Sequence, residues 1–224
     1  TCIGVQAQGF SATVSPPRVE TAGKPGLAPR QVLEITQVGT QTGRFRVYTN
    51  DWTLNASGGV DFFEALQPGS CRPWVALERR ELTVGGNAKV RFRFEITPPA
   101  DAPLAECRFA IMFEGLDTSV VSPGGLSFPV SGRIGVIVYA GMDGTKPELQ
   151  VLTKTVSSAT PTLPLLEVRN TGTAHGRLGG LLTGTDAKGV KLEFSPITLP
   201  ILPGETRSIG LNANVQGGAP VTQI

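Results

Sequence analysis

The segment Lys89–Ile96 (KVRFRFEI) restricts the fold more than any other part of this sequence, because apolar and charged residues alternate along all of it. The apolar positions are Val90, Phe92, Phe94 and Ile96, and the charged ones are Lys89, Arg91, Arg93 and Glu95. Such strict alternation predicts an antiparallel strand with one face in a core and the other in water. Arg44–Tyr48 (RFRVY) repeats the pattern. The sequence therefore predicts antiparallel β-structure.

Further short apolar segments predict strands along the whole chain. They are Gly9–Val14, Gln31–Gln37, Trp74–Glu78, Cys107–Phe113, Ser127–Tyr139, Glu148–Thr153, Pro164–Asn170, Gly176–Leu182, Val190–Glu193 and Glu205–Leu211. Turns separate them, and no segment has apolar residues at helical spacing over three turns. The polar segment Ala140–Pro147 (AGMDGTKP) is typical of a linker. We therefore expect an all-β fold of two tandem immunoglobulin-like β-sandwich domains, residues 1–140 and 141–224, the second short at its C-terminus.

Charge and hydrophobicity exclude several classes of protein. The net charge of +2, from 20 basic and 18 acidic residues, argues against a nucleic-acid-binding protein, which normally has a strong basic excess. No apolar run approaches the roughly 20 residues needed to cross a bilayer, so we expect no membrane-spanning segment. No signal peptide opens the sequence, so we expect the mature form if the protein is exported.

The cysteines have two interpretations. The chain has 3 Cys, no CxxC pair and a single His, which is too few residues for a Cys/His zinc site. The cysteines are either three buried thiols or a Cys71–Cys107 disulfide with Cys2 left over. We favour the disulfide, which implies an oxidising compartment.

No catalytic centre is recognisable in the sequence. His175 is the only histidine that could serve as a base, and it lies in Gly172–Gly176, a predicted turn where we expect a solvent-exposed or capping role. The GxSxG, Walker and HExxH motifs are absent, and no pair of carboxylates has the spacing of a glycosidase site. We therefore expect a protein that is not an enzyme and that needs no cofactor or metal.

The segment Gly124–Tyr139 (GGLSFPVSGRIGVIVY) is unusual because it carries two apolar series on alternate residues. Leu126, Phe128 and Val130 share one face, and Ile134, Val136 and Val138 continue the alternation. One interpretation is a central core strand preceded by a long hairpin loop. The other is an edge strand that offers its apolar residues to another protein by β-augmentation. Pro129 favours an edge position, because proline cannot donate a ladder hydrogen bond.

The order of these segments resembles that of the PapD-like periplasmic chaperones of the chaperone–usher pathway. The resemblance covers most of the chain and depends on pattern more than on identity. It is carried by a predicted N-terminal strand, Val14–Glu20 (VSPPRVE), and by Leu82–Gly86 (LTVGG), KVRFRFEI and the strand ending in Arg133–Tyr139 (RIGVIVY). In the second domain it is carried by Val168–Gly172 (VRNTG) and Leu202–Arg207 (LPGETR).

In that family, the last strand of the first domain is lent to a pilin subunit whose own immunoglobulin-like fold lacks a strand. The resemblance therefore implies a periplasmic chaperone that binds and stabilises pilin-like subunits and delivers them to an outer-membrane usher, without a cofactor. Leu126, Phe128 and Val130 would fill the groove of the subunit.

The family also binds the C-terminal carboxylate of the subunit with a basic pair in the cleft between its domains. Arg18 stands at the position of the family's arginine, and arginine suits bidentate binding of a carboxylate. Gly135 stands where the family has a lysine, and Tyr139 where it has an interdomain arginine. Arg133, two residues before Gly135 on the same face of the strand, is the alternative cation. The resemblance thus implies an anchor of Arg18 and Arg133 in a divergent member, with ordinary solvated surface charge as the alternative.

Two other function classes stay open. The first is a structural or adhesive immunoglobulin-like module of an extracellular or pilus-associated protein, which a fully paired strand at Leu126–Val130 would favour. The second is a carbohydrate-binding or hydrolytic sandwich, which is poorly supported because 2 Trp and 2 Tyr offer little stacking surface. The sequence also leaves open whether the protein caps itself as a homodimer.

Overall fold

The computed structural model describes residues 11–24, 26, 30–116, 119–121, 127–129, 132–156, 163–186, 188–214 and 221–223, the backbone alone at 119–121, 127–129 and 221–223. The chain forms two compact units, residues 1–55, 59–103 and 107–143 in the first and 56–58, 104–106 and 144–224 in the second. Strands dominate the described residues of both units, which confirms the predicted all-β class. No helix in the described part is long and apolar enough to cross a bilayer.

The first unit contains twelve described strands and one short 3-10 helix, Arg72–Trp74. The strands are β1 (Ala12–Ser15), β2 (Arg18–Gly23), β3 (Arg30–Gln37), β4 (Gly43–Leu54), β5 (Val60–Phe63), β6 (Val75–Leu77), β7 (Glu81–Val84), β8 (Lys89–Ile96), β9 (Cys107–Gly115), β10 (Ser119–Val121), β11 (Ser127–Pro129) and β12 (Arg133–Met142). One sheet has the order β1-β3-β8-β6, and a six-stranded sheet has the order β2-β12-β9-β4-β5 with β7 also paired to β4. β10 and β11 form a separate two-stranded sheet.

The core of the first unit lies between its two larger sheets, and β8 supplies its apolar face as the alternation predicts. Phe92 and Phe94 are at most 1% exposed and meet aromatic residues of β9 edge to face. Their ring centroids lie 5.4 Å from Phe113 and 6.3 Å from Phe109, respectively. Edge-to-face pairs at these distances stabilise a core beyond the burial of their area. The alternation of β8 is therefore explained by a shared aromatic core.

The predicted Cys71–Cys107 disulfide is confirmed. Cys71 precedes the 3-10 helix and Cys107 begins β9, and both are buried in the core of the first unit. The bond therefore ties the segment after β5 to the central strand of the six-stranded sheet.

The second unit contains β13 (Leu149–Val156), β14 (Pro164–Asn170), β15 (Leu182–Asp186), β16 (Lys191–Pro196), β17 (Thr206–Ala213) and β18 (Val221–Gln223). Their order is β13-β14-β17-β16-β15-β18. β17 pairs with β14 through residues 206–210 and with β16 through residues 211–213, so it joins β13 and β14 to the other three strands. Six buried residues form the described core, namely Leu166, Val168, Phe194, Ile201, Ile209 and Leu211.

The completely buried side chain of Asn170 stabilises the backbone around the VRNTG segment. Its Nδ2 donates to the carbonyl oxygens of Ala174 and Ile201, and its Oδ1 accepts from the backbone amides of Glu148 and Gly172. All four hydrogen bonds available to a carboxamide are thus made, and they bring four separate backbone groups together.

Three strand predictions are wrong in detail. Val14–Glu20 is divided between β1 and β2, which belong to different sheets, because Pro16 and Pro17 cannot donate ladder hydrogen bonds. Ser127–Tyr139 is divided as well, since β11 ends at Pro129 and Gly132 is not in a strand. Gly176–Leu182 is not a strand: Gly176 makes an isolated bridge to Ile201, and β15 begins only at Leu182.

Candidate functional site

The hairpin of β10 and β11 contains the described part of the predicted groove-filling segment. Ser119–Val121 pairs antiparallel with Ser127–Pro129, and Val120 lies opposite Phe128. Within the described residues, neither strand pairs with either larger sheet. Leu126 and Val130 lie outside the described residues, and at Phe128 the backbone alone is described. The contact of these three side chains with a subunit groove therefore stays a prediction.

Strand β12 presents one face to the core and one away from it. Val136, Val138 and Ala140 are buried in the core. Arg133, Gly135, Ile137 and Tyr139 lie on the opposite side, which we name the distal face. β12 pairs antiparallel with β9 through residues 133–140 and parallel with β2 through residues 137–142, so it lies between two strands only at residues 137–140. The distal face thus joins side chains from β2, β12 and β9 on one surface.

The two predicted anchor arginines lie on the distal face at different positions along β12. Arg18 of β2 is in register with Ile137, and Arg133 is four residues earlier. This offset corresponds to roughly 13 Å along the strand. Arg18 is half exposed and its Nε lies 2.8 Å from Glu20 Oε1. Arg133 is exposed and forms no ion pair with any residue that the structure describes. The arginines are therefore on one surface but not adjacent.

A row of charged residues crosses three strands beside Arg133. Glu114 of β9 is in register with Arg133 on one side and Arg46 of β4 on the other. Arg46 donates to Glu114 Oε2 from Nη2 at 2.7 Å and from Nε at 3.2 Å. The Arg46 guanidinium also lies 4.6 Å from the centroid of the Tyr48 ring. The hydrogen bond from Arg46 lowers the pKa of Glu114, and the charge of Arg133 contributes a smaller lowering.

Because the pKa of Glu114 is lowered by folding, the ionised carboxylate stabilises the fold above the ordinary glutamate pKa of about 4.3. This contribution is lost as the pH falls through the lowered pKa. We expect Arg46→Ala to reduce the fall of the melting temperature between about pH 5 and pH 3. Arg91→Ala, an exposed arginine of β8, is the control and should leave the wild-type profile unchanged. Parallel profiles for wild type and Arg46→Ala would contradict this assignment.

The neighbours of Gly135, and not its own backbone conformation, favour glycine at this position. A Cβ placed at Gly135 would lie 2.7 Å from Cζ of Phe62 and 3.1 Å from Sδ of Met112. Met112 is 1% exposed on β9, in register with Gly135. Phe62, on β5, is half buried. Phe62 therefore occupies the space that any larger side chain at position 135 would need.

We expect Gly135→Ala to lower the free energy of unfolding by about 1–3 kcal/mol, because the added methyl group overpacks against Phe62. In a Phe62→Ala background the same change should cost much less, so urea unfolding of the four proteins gives a double-mutant cycle with a large coupling. Gly85→Ala is the control, since its Cβ would lie at an ordinary 3.8 Å from Ala88. Equal costs of Gly135→Ala in both backgrounds would contradict the steric explanation.

Asp51 of β4 holds the segment after β5, and Asn50, Asp51 and Trp52 are all buried. Asp51 accepts hydrogen bonds from Ser70 Oγ at 2.7 Å and from the amide of Gln67 at 3.0 Å. Arg72 Nη1 also lies 3.4 Å from Asp51 Oδ2. These contacts fix the chain between β5 and the disulfide, and hence the position of β5 itself.

The expectation of a solvent-exposed His175 is wrong, because its side chain is only 10% exposed. Its Nδ1 lies 2.6 Å from Glu106 Oε2, and its Nε2 lies 2.8 Å from Nη1 of Arg177, all in the second unit. Arginine can only donate, so Nε2 accepts and Nδ1 carries the proton. Both ring nitrogens are thus engaged in packing the unit. Among the described residues, no group of three or more His, Cys, Asp or Glu side chains could hold a metal ion.

Solved structures with the same architecture identify the fold. The chain matches the class 5 fimbrial chaperone CfaA with a TM-score of 0.55 at 9% identity, over 95% of this chain and 97% of that one. It matches the Escherichia coli chaperone DraB with a TM-score of 0.53 at 13% identity, over 97% of both chains. The chain has the fold of a fimbrial chaperone. The predicted pair of immunoglobulin-like sandwiches is thereby confirmed.

A third match with this fimbrial-chaperone fold comes from a chaperone–tip adhesin complex of CFA/I fimbriae. The TM-score is 0.55 at 8% identity, over 96% of this chain and 94% of that one. No protein-family model and no curated protein matches the sequence. The similarity is therefore one of fold. At such low sequence identity, the role of an individual residue has to be argued from its contacts in this structure.

Sequence reasoning missed Phe62, the distal-face residue that packs over Gly135. Phe62 and Phe63 are adjacent, and the sequence alone does not tell which of them packs on the sheet. The signal that could have pointed to it is the glycine itself. A glycine inside the RIGVIVY strand indicates close approach of another group, which here is the ring of Phe62.

Proposed function

We propose that this protein is a periplasmic chaperone of pilin-like fimbrial subunits. It binds and stabilises a subunit by donating the edge of β11 and delivers it to an outer-membrane usher. The domain of residues 1–140 donates the strand, and residues 141–224 form the second domain. No catalytic step, cofactor or metal is part of this proposal.

The observation that carries the proposal is the pairing of β10 with β11 alone. Within the described residues, β11 adds to neither larger sheet, so its second edge has backbone groups without ladder partners. An unpaired strand edge is a ready site for β-augmentation by a protein that lacks a strand. Burial of the apolar side chains at Leu126, Phe128 and Val130 would contribute about 1.5–3 kcal/mol each, before the costs of binding.

Three further observations support it. The fimbrial-chaperone fold extends over nearly the whole chain, and one chain of that fold comes from a chaperone–tip adhesin complex. The Cys71–Cys107 disulfide suits the oxidising periplasm. Arg18 and Arg133 on the distal face supply cations that a carboxylate could reach.

Co-expression in a bacterial periplasm with a panel of pilin subunits, followed by affinity purification, tests the proposal. We expect at least one subunit to co-purify in a one-to-one complex and to be degraded or aggregated when this protein is absent. If every subunit of the panel behaves identically with and without this protein, the chaperone proposal fails. The structural or adhesive module then becomes the better explanation.

A further inference from the structure

The distal face contains a buried asparagine whose side chain makes no hydrogen bond with any residue that the structure describes. Asn50 of β4 is in register with Ala110 of β9, which is itself in register with Ile137 of β12. Residues in register share one face of a sheet, so Asn50 points to the distal side. It is 1% exposed, and its Nδ2 and Oδ1 are both buried without a partner. The carboxamide therefore has an unmet donor and an unmet acceptor.

The buried Asn170 of the second unit shows how different this arrangement is. The carboxamide of Asn170 donates two hydrogen bonds and accepts two, all with backbone groups. Buried polar groups in folded proteins are normally satisfied in this way, because a desolvated group without a partner destabilises the fold. Asn50 therefore does not stabilise the free protein through its carboxamide, and its polar atoms are suited to another role.

The part of the distal face next to Asn50 has small residues that a single ring covers. Ala110 and Gly135 offer almost no side chain, and the space above Gly135 is filled by the ring of Phe62. Phe62 belongs to β5, which ends the order of its sheet, and its side chain is half buried. The ring can therefore rotate into water while the backbone of β5 stays in place. A glycine left uncovered within a strand allows another backbone to approach closely.

We propose that the ring of Phe62 is a lid over a peptide-binding site, with Asn50 as the binding residue and Gly135 as the floor. The inference rests on the proposed function, since the ligand is a main-chain peptide group of the bound subunit. A peptide group offers one acceptor and one donor, and the carboxamide of Asn50 matches them with one hydrogen bond each. The group is neutral, as Asn50 is, so binding here needs no charge on the subunit.

The closed and open arrangements each have a cost that the subunit changes. In the closed arrangement the ring of Phe62 is packed beside Met112, but Asn50 is unsatisfied. In the open arrangement the ring loses this packing. A subunit that hydrogen-bonds to Asn50 binds the open arrangement alone, and its binding therefore shifts the population toward it. The site is thus closed in the free protein and is opened by its ligand.

Replacing Asn50 by Leu separates a binding role from a structural one. We expect Asn50→Leu to unfold at the same or a higher urea concentration than wild type, because an unsatisfied polar group is replaced by an apolar one of similar size. Its affinity for a subunit that co-purifies with the wild type should fall at least about tenfold. Asn170→Leu is the matched control for stability, and it should unfold at a lower urea concentration, because four hydrogen bonds are lost.

Replacing Phe62 by Ala tests the lid. We expect folded Phe62→Ala to bind the subunit at least as tightly as wild type does, because no ring has to be displaced. Adding Asn50→Leu to this variant should bring the affinity down to that of Asn50→Leu alone. Phe63→Ala is the matched control, because Phe63 is 37% exposed on the other side of β5, and it should bind as wild type does.

The outcomes separate the inference from the function on which it rests. Wild-type affinity in Asn50→Leu overturns the inference and leaves the chaperone function standing. Loss of stability in Asn50→Leu also overturns it, because the carboxamide would then be stabilising the free fold. Weaker binding by folded Phe62→Ala overturns the lid, and if that variant does not fold, Asn50→Leu still decides. Failure of the wild type to bind any subunit overturns the function and the inference together.

Discussion

Replacing Phe128 by Asp is expected to abolish the complex between this protein and a pilin-like subunit. Position 128 is in β11, in the strand whose edge we propose to be donated. The change removes the burial of a phenyl ring, about 1.5–3 kcal/mol, and adds the cost of desolvating a carboxylate. Since 1.4 kcal/mol corresponds to a factor of ten, affinity should fall by more than about a hundredfold. Titration of purified protein with a subunit measures the loss.

The control for this change is Val32→Asp. Val32 lies on β3 and is 46% exposed. The Val32→Asp change therefore places an aspartate at an exposed apolar position of the first unit. It should leave both binding and stability unchanged. If Phe128→Asp binds a subunit as tightly as wild type does, β11 is not the donated strand.

Removal of the disulfide is expected to have the largest effect on stability. Cys71 and Cys107 are separated by 36 residues, and closing a loop of this length stabilises a fold by about 4 kcal/mol on the chain-entropy account. That is a large part of the roughly 5–15 kcal/mol by which folded domains are stable. The double variant Cys71→Ala, Cys107→Ala should therefore unfold at a much lower urea concentration.

Two controls accompany the disulfide measurement. Cys2→Ala removes the third cysteine and should leave the unfolding midpoint unchanged. Wild type unfolded in the presence of a reducing agent should resemble the double variant. Coincident urea transitions for the oxidised wild type and the double variant would show that the bond contributes nothing to stability.

The sequence predicted the strands in which apolar and charged residues alternate. KVRFRFEI forms β8 with its phenylalanines in the core, because a half-buried strand requires alternate residues on each face. The Cys71–Cys107 disulfide was favoured over three buried thiols, and the structure contains it. The boundaries near prolines and glycines were predicted less well, since the sequence does not state which sheet a strand joins after Pro16-Pro17 or beyond Gly132.

The distal face could be predicted only in part. The alternation of RIGVIVY places Arg133 and Gly135 on one face, and β12 has them there. The offset between Arg18 and Arg133 depends on the parallel register of β2 with β12, which no local pattern encodes. The contact of Phe62 with Gly135 likewise arises from packing between segments distant in the sequence. Such contacts depend on the tertiary structure and not on the local sequence.

Site-specific photocrosslinking tests strand donation most directly. A photoreactive phenylalanine analogue is placed at position 128, and at exposed position 32 as the control, and each protein is irradiated with a co-purifying subunit. Our account predicts a crosslinked adduct with the subunit from position 128 and none from position 32. A subunit that co-purifies but is crosslinked from position 32 and not from position 128 would contradict donation of β11.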